Sequence, residues 1–178
     1  MRKIFTKAQL SFPLALALVF MITPLSGELV PKHELAAHKI TLEVAKDLHI
    51  RYGLEPIALG GSMMTKIEGF ALTLRTYKSL SVEQARACVL DCVALYLQKI
   101  NASSEVEPFL QEKPFTAKQL TLQFLVLEQN DLFKKENSLA NFYLDKGKIV
   151  YKKCNSQTGQ LEKVQEETYD QVASSAKK

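Results

Sequence analysis

The sequence predicts an α+β protein in which a long central helix and an N-terminal helix pack on an antiparallel sheet of four to six strands, within a single domain. Three observations carry that expectation. Strand-like stretches come in hairpin pairs, one long helical stretch separates the pairs, and that helix opens with a capping signature at Ser81-Val82-Glu83-Gln84. Hairpin runs broken by one helix favour an antiparallel sheet over a parallel strand–helix–strand repeat. With 178 residues, 47% of them hydrophobic, and only 7 Gly, 6 Pro and 3 Cys, the chain is neither collagen-like, low-complexity nor disulfide-dense.

Residues 1–27 differ from the rest. Arg2, Lys3 and Lys7 give a basic start, residues 10–23 are apolar and uncharged, and Pro24-Leu25-Ser26-Gly27 precede the first acid, Glu28. That is the layout of a secretory signal peptide cut after Ser26 or Gly27. The apolar run of 14 residues is short of the roughly 17–25 that a spanning helix needs. The expected product is an exported protein, periplasmic or secreted, with residues 28–178 folded as one α+β domain, a frayed C-terminal tail and no stable membrane span. Without the three leader cations, 20 Lys and Arg face 19 Asp and Glu, so the net charge falls from +4 to +1. Such a balance gives no reason to expect nucleic acid as a partner.

Along the remaining chain, Ala37, Ile40, Val44 and Leu48 repeat at three and four, predicting a helix over residues 33–52 that stops at Gly53. Residues 57–64 and 67–76 read as paired strands, the second alternating Phe70, Leu72 and Leu74 with smaller or polar neighbours. Gly60, Gly61, Gly69 and Ala71 suggest a close approach on one side of that hairpin. The capped helix runs to about Ile100 and is apolar over much of its circumference, which suits a central position. Residues 101–117 form a long connection carrying Pro108-Phe109-Leu110 and Pro114-Phe115-Thr116. A connection this long is either ordered by its own side chains or functional. Leu120, Leu122, Phe124 and Val126 then mark a strand. Residues 141–144 and 149–152 flank a turn at Asp145-Lys146-Gly147-Lys148, residues 160–164 are a further strand, and residues 168–176 a short helix.

Few residues offer chemistry. Cys88 and Cys92 are four apart on one helix, so their thiols share a face and, with Cys154, could serve a soft metal or a redox role. The competing reading is that of buried cysteines behaving as small apolar residues. An oxidising compartment also allows one disulfide from Cys154 to either of the others. His38 and His49 share a helix face but lie about 16 Å apart at 1.5 Å per residue, too far for one ion. Glu34 and His38, four apart, are a common solvated pair. Gly60-Gly61-Ser62 lacks the second glycine and the following helix of a nucleophile elbow. Glu105, Glu107 and Glu112 sit in a loop and read as solvated acids. Met63 and Met64, adjacent on a strand, point apart. Asn101-Ala102-Ser103 matches a glycosylation sequon.

No catalytic, cofactor-binding or metal residue is therefore expected, and no cofactor. The leading expectation is a non-catalytic module that binds another protein or an envelope component, through a sheet face or the 101–117 loop with Phe109, Leu110 and Phe115. The alternative is a thiol-dependent metal or redox protein using Cys88, Cys92 and Cys154.

Overall fold

The computed structural model describes residues 30–134 and 138–176. The leader expected over residues 1–27 lies outside them. Helix α1 (Lys32–Tyr52) buries Ala37, Ile40, Val44 and Leu48, the residues its spacing selects. It ends where Gly53 adopts φ 69°, a left-handed conformation that costs glycine little, and donates its N–H to the His49 carbonyl at 2.8 Å.

Strand β1 (Glu55–Ser62) turns back through residues 63–68 into β2 (Gly69–Thr76), pairing antiparallel with Gly60 opposite Ala71. β1 begins and ends two residues earlier than its hydrophobic pattern suggests and β2 begins two residues later, so the turn between them is longer than expected. Pro56 is tolerated because β1 lies at the sheet edge, and the turn is closed by the Glu68 N–H bonding to the Ser62 carbonyl at 2.9 Å.

Helix α2 (Val82–Asn101) starts as its sequence requires. Ser81 Oγ accepts from the Gln84 N–H at 3.3 Å, and Gln84 Oε1 accepts from the Ser81 N–H at 2.9 Å. Its Val89, Val93, Tyr96 and Ile100 are wholly buried. Removing an aliphatic side chain of this kind from water stabilises the fold by about 1.5–3 kcal/mol before the cost of ordering it.

Strands β3 (Leu120–Val126), β4 (Asn141–Asp145), β5 (Lys148–Cys154) and β6 (Leu161–Thr168) complete a six-stranded sheet in the order β1-β2-β3-β4-β5-β6, and α3 (Tyr169–Ser175) follows β6 directly. The sheet is mixed, which corrects the antiparallel expectation. Four of the neighbouring pairs are antiparallel, but β2 and β3 run parallel, from Phe70 opposite Leu120 to Thr76 opposite Val126. The reason is the connection between them. A helix of 20 residues, about 30 Å long, carries the chain back along the sheet before β3 begins, and a crossover of that kind joins parallel strands. The remaining strands pair in hairpin fashion, with Lys146 at φ 48° and Gly147 at φ 76° turning β4 into β5.

Phe70, Leu72 and Leu74 of β2, Leu122 and Phe124 of β3, and Phe142 and Leu144 of β4 are all buried on the face the helices cover. Phe124 and Phe142 stack there with centroids 4.5 Å apart. The 101–117 connection belongs to the same core. Asn101 clamps Phe115 by accepting its N–H at 2.8 Å and donating Nδ2 to its carbonyl at 3.0 Å. Ile67 bridges to the strand-like stretch around Leu110.

Candidate binding site at the unguarded sheet edge

The two edges of the sheet are built differently. β6, at one edge, reads LEKVQEET, and its Lys163 and Glu166 pair at 2.8 Å. Charged residues along an edge discourage another chain from adding a strand. β1, at the other edge, reads EPIALGGS, and its single charge, Glu55, is held by Arg75 Nε at 3.0 Å. A bulge falls between Pro56 and Ala58, after which residues 58–62 continue without a charged side chain. Among the described residues, no backbone hydrogen bond reaches residues 58–61 from any element other than β2. Alternate amides and carbonyls along this stretch therefore face outward unpaired.

Space beside the edge is shaped by α1. Glu34, His38 and Thr41 follow one another at helical spacing down the flank of α1 that faces β1, and with Leu59, Gly60 and Met63 they line a groove of about 210 Å³. Gly60 has nothing within 4 Å of where a Cβ would stand, whereas a Cβ on Gly61 would meet the Gly69 carbonyl and one on Gly69 would lie 2.8 Å from the Gln119 carbonyl oxygen. The small-residue cluster thus divides. Gly61 and Gly69 permit close packing, while Gly60 leaves the edge open.

The upper end of the groove is fixed by His33. Its Nε2–H donates to the Met63 carbonyl at 3.0 Å while its ring stacks on Phe109. On the groove wall, the Thr41 hydroxyl donates to the Ala37 carbonyl at 3.1 Å. Burial pushes the Tyr96 phenol up, with the Thr41 hydroxyl pulling the other way. Yet the Tyr96 hydroxyl is buried without a partner in hydrogen-bonding geometry among the described residues.

The other residues singled out by sequence are placed as follows. Cys88, Cys92 and Cys154 are buried free thiols. Burial pushes the Cys88 thiol up to about 12 and drives Cys92 well above the ordinary thiol range. A thiol held protonated is a poor nucleophile and metal ligand. Among the described residues no three His, Cys, Asp or Glu side chains are grouped to hold a metal ion. Ser62 Oγ donates to Glu68 at 2.8 Å at the surface. Met63 and Met64 lie past the end of β1, in the turn and not on a strand, and both line the groove, Met64 largely exposed, which corrects the expectation that they point apart. The sequon residue Asn101 uses its amide to clamp Phe115. Of the three loop residues expected to present a binding surface, Leu110 and Phe115 are buried and Phe109 is exposed.

Sequence reasoning missed two arrangements. One is the groove, whose signal was legible: a strand with one charge at one end of the sheet and a strand rich in Lys and Glu at the other. The second ties α2 to the β6 edge. Arg86 holds Glu167 through Nε at 2.8 Å and Nη2 at 3.0 Å, and Tyr151 donates its hydroxyl to the same carboxylate at 2.6 Å. Burial would raise Glu167, but Arg86 and Tyr151 together hold its carboxyl below the usual range. Nothing local in the sequence links residues 81 positions apart.

No protein-family model, curated protein or solved structure matches the chain. Among the described residues no helix is long and apolar enough to cross a membrane.

Proposed function

We propose that this chain is an exported, non-catalytic module, periplasmic or secreted, that binds another polypeptide by accepting an extended segment of it as a seventh strand beside β1. The observation that carries the reading is the uncharged, backbone-open edge at residues 58–61 bordered by the α1 groove. Main-chain hydrogen bonds to β1 supply affinity in such an arrangement, and alternate side chains of the guest segment reach the groove. Leu59 and Met63 favour an apolar side chain there, and Glu34 at the rim favours a basic neighbour. Thiol chemistry gains no support, because burial keeps Cys88 and Cys92 protonated.

Selection of displayed random peptides on the exported chain, with counter-selection on Gly60→Lys, tests the reading. The lysine occupies open space and adds the charge that guarded edges carry. Peptides should be enriched on the wild-type chain and lost on the variant. Enrichment that is equal on both, or absent on the wild-type chain, contradicts the proposal.

A further inference from the structure

We infer that the outward face of α1 is a second docking surface, separate from the β1 edge, and that it rests on an anionic lipid bilayer. Lys32, Lys39 and Lys46 recur every seven residues, and Leu35 and Leu42 recur at the same interval between them. Seven residues fall about 20° short of two full helical turns, so these five side chains form one stripe, and Ile50 extends it. The stripe is uncovered: Leu35 is 57% exposed, Leu42 48% and Ile50 71%. With Val30 and Phe109 they make five of the nine large hydrophobic residues exposed among the described residues. That concentration is a patch, not the scatter of single apolar residues found on most surfaces.

Of the acids of α1, Glu43 borders the stripe, four residues after Lys39 and three before Lys46, and Asp47 lies farther round toward α2. Glu43 and Asp47 both face Lys99 of α2, at 3.1 and 3.7 Å. Glu34 lines the β1 groove. The N-terminal half of the stripe, Lys32, Leu35 and Lys39, also forms one wall of a cleft of about 570 Å³, opposite Pro108 and Phe109. Glu105 is the one acid on that cleft wall.

Alternating lysine and leucine along an exposed helix face suits a bilayer. Leucines enter the boundary between headgroups and acyl chains while lysine stems lift their ammonium groups to the phosphates. Position along the chain agrees with this. Only residues 24–31 separate α1 from the apolar run at 10–23, a span of roughly 30 Å when extended. This proximity rests on the proposed export: a leader held in a membrane would keep α1 within reach of that membrane until it is cut.

The chain has no Trp, so one introduced tryptophan reports cleanly. Leu42→Trp places it in the stripe, and Val164→Trp on β6 gives a control of similar exposure, 47% against 48%. On vesicles of mixed phosphatidylglycerol and phosphatidylcholine, emission from position 42 should shift to the blue while position 164 stays unchanged. Vesicles of phosphatidylcholine alone should give a much smaller shift. Adding Lys32→Gln, Lys39→Gln and Lys46→Gln should raise the lipid needed for half the shift on the order of a hundredfold, three lysines' share of surface attraction. Gly60→Lys should leave the response intact, which separates this surface from the β1 edge. No shift on anionic vesicles, an equal shift on neutral ones, or indifference to the lysines overturns the inference. So does a shift that grows with protein concentration in the absence of lipid, which would assign the stripe to a second copy of the chain.

Discussion

His33 lies flat against Phe109, with ring centroids 4.4 Å apart and planes 19° from parallel, while its Nε2–H donates to the Met63 carbonyl at 3.0 Å. One buried ring in the first turn of α1 therefore holds the 101–117 connection on one side and the tip of the β1–β2 hairpin on the other. His33→Ala should cost about 1–2 kcal/mol, the sum of a lost aromatic contact and a lost hydrogen bond. Amide exchange should accelerate around residues 63–67 and 107–111 while the interior of α2 is unaffected. Uniform acceleration throughout the chain would show that the ring has no local role.

Two buried tyrosines should respond oppositely to loss of the hydroxyl. The Tyr96 hydroxyl has no hydrogen-bond partner among the described residues, whereas that of Tyr151 donates to Glu167 at 2.6 Å. Tyr96→Phe should be neutral or stabilise by up to about 1 kcal/mol, and Tyr151→Phe should destabilise by about 1.5–3 kcal/mol. Urea unfolding of both variants decides it.

The thiols should make the fold sensitive to alkali. Cys88 ionises near 9.0 when unfolded and is pushed up to about 12 by burial in the folded chain. Above pH 9 the unfolded state releases a proton that the native state keeps, so stability falls with rising pH until the folded group also ionises. The slope is about 1.4 kcal/mol per pH unit for each such thiol. Cys88→Ala should flatten the decline in stability between pH 9 and 11 relative to its own value at pH 7. Ellman's reagent should leave both helix thiols unmodified at neutral pH until denaturant is added.

Glycines in one hairpin should differ in tolerance. A Cβ at Gly60 meets open space, whereas one at Gly69 lies 2.8 Å from the Gln119 carbonyl oxygen, a backbone atom of the neighbouring strand's approach. Gly60→Lys should change stability by less than about 0.5 kcal/mol, and Gly69→Ala should cost about 1–3 kcal/mol through overpacking. Thermal unfolding of the two variants checks both.

What sequence reveals here tracks how local the physics is. Ser81 and Gln84 are three positions apart and satisfy each other's backbone groups, so the start of α2 is legible to the residue. The α1 core stripe and the alternation of β2 are equally local. By contrast, the parallel pairing of Phe70 with Leu120 depends on where the 101–117 connection returns the chain, and that return is set by tertiary contacts such as Asn101 with Phe115. Cys88 and Cys92 do share a helix face, as their spacing implies, but spacing alone does not tell a buried face from a cleft. The groove at β1 was partly visible as a lack of charge. Its second wall, Glu34, His38 and Thr41, belongs to a helix whose position beside the edge no local pattern specifies.

A guest strand on β1 would pair with residues 58–61. Amide exchange of the intact exported chain, with and without a peptide selected on it, reads this directly. The outward-facing amides of residues 58–61 should become protected, and Gly60→Lys should abolish the protection. Protection confined to β6, to the 101–117 connection or to α1 would contradict it.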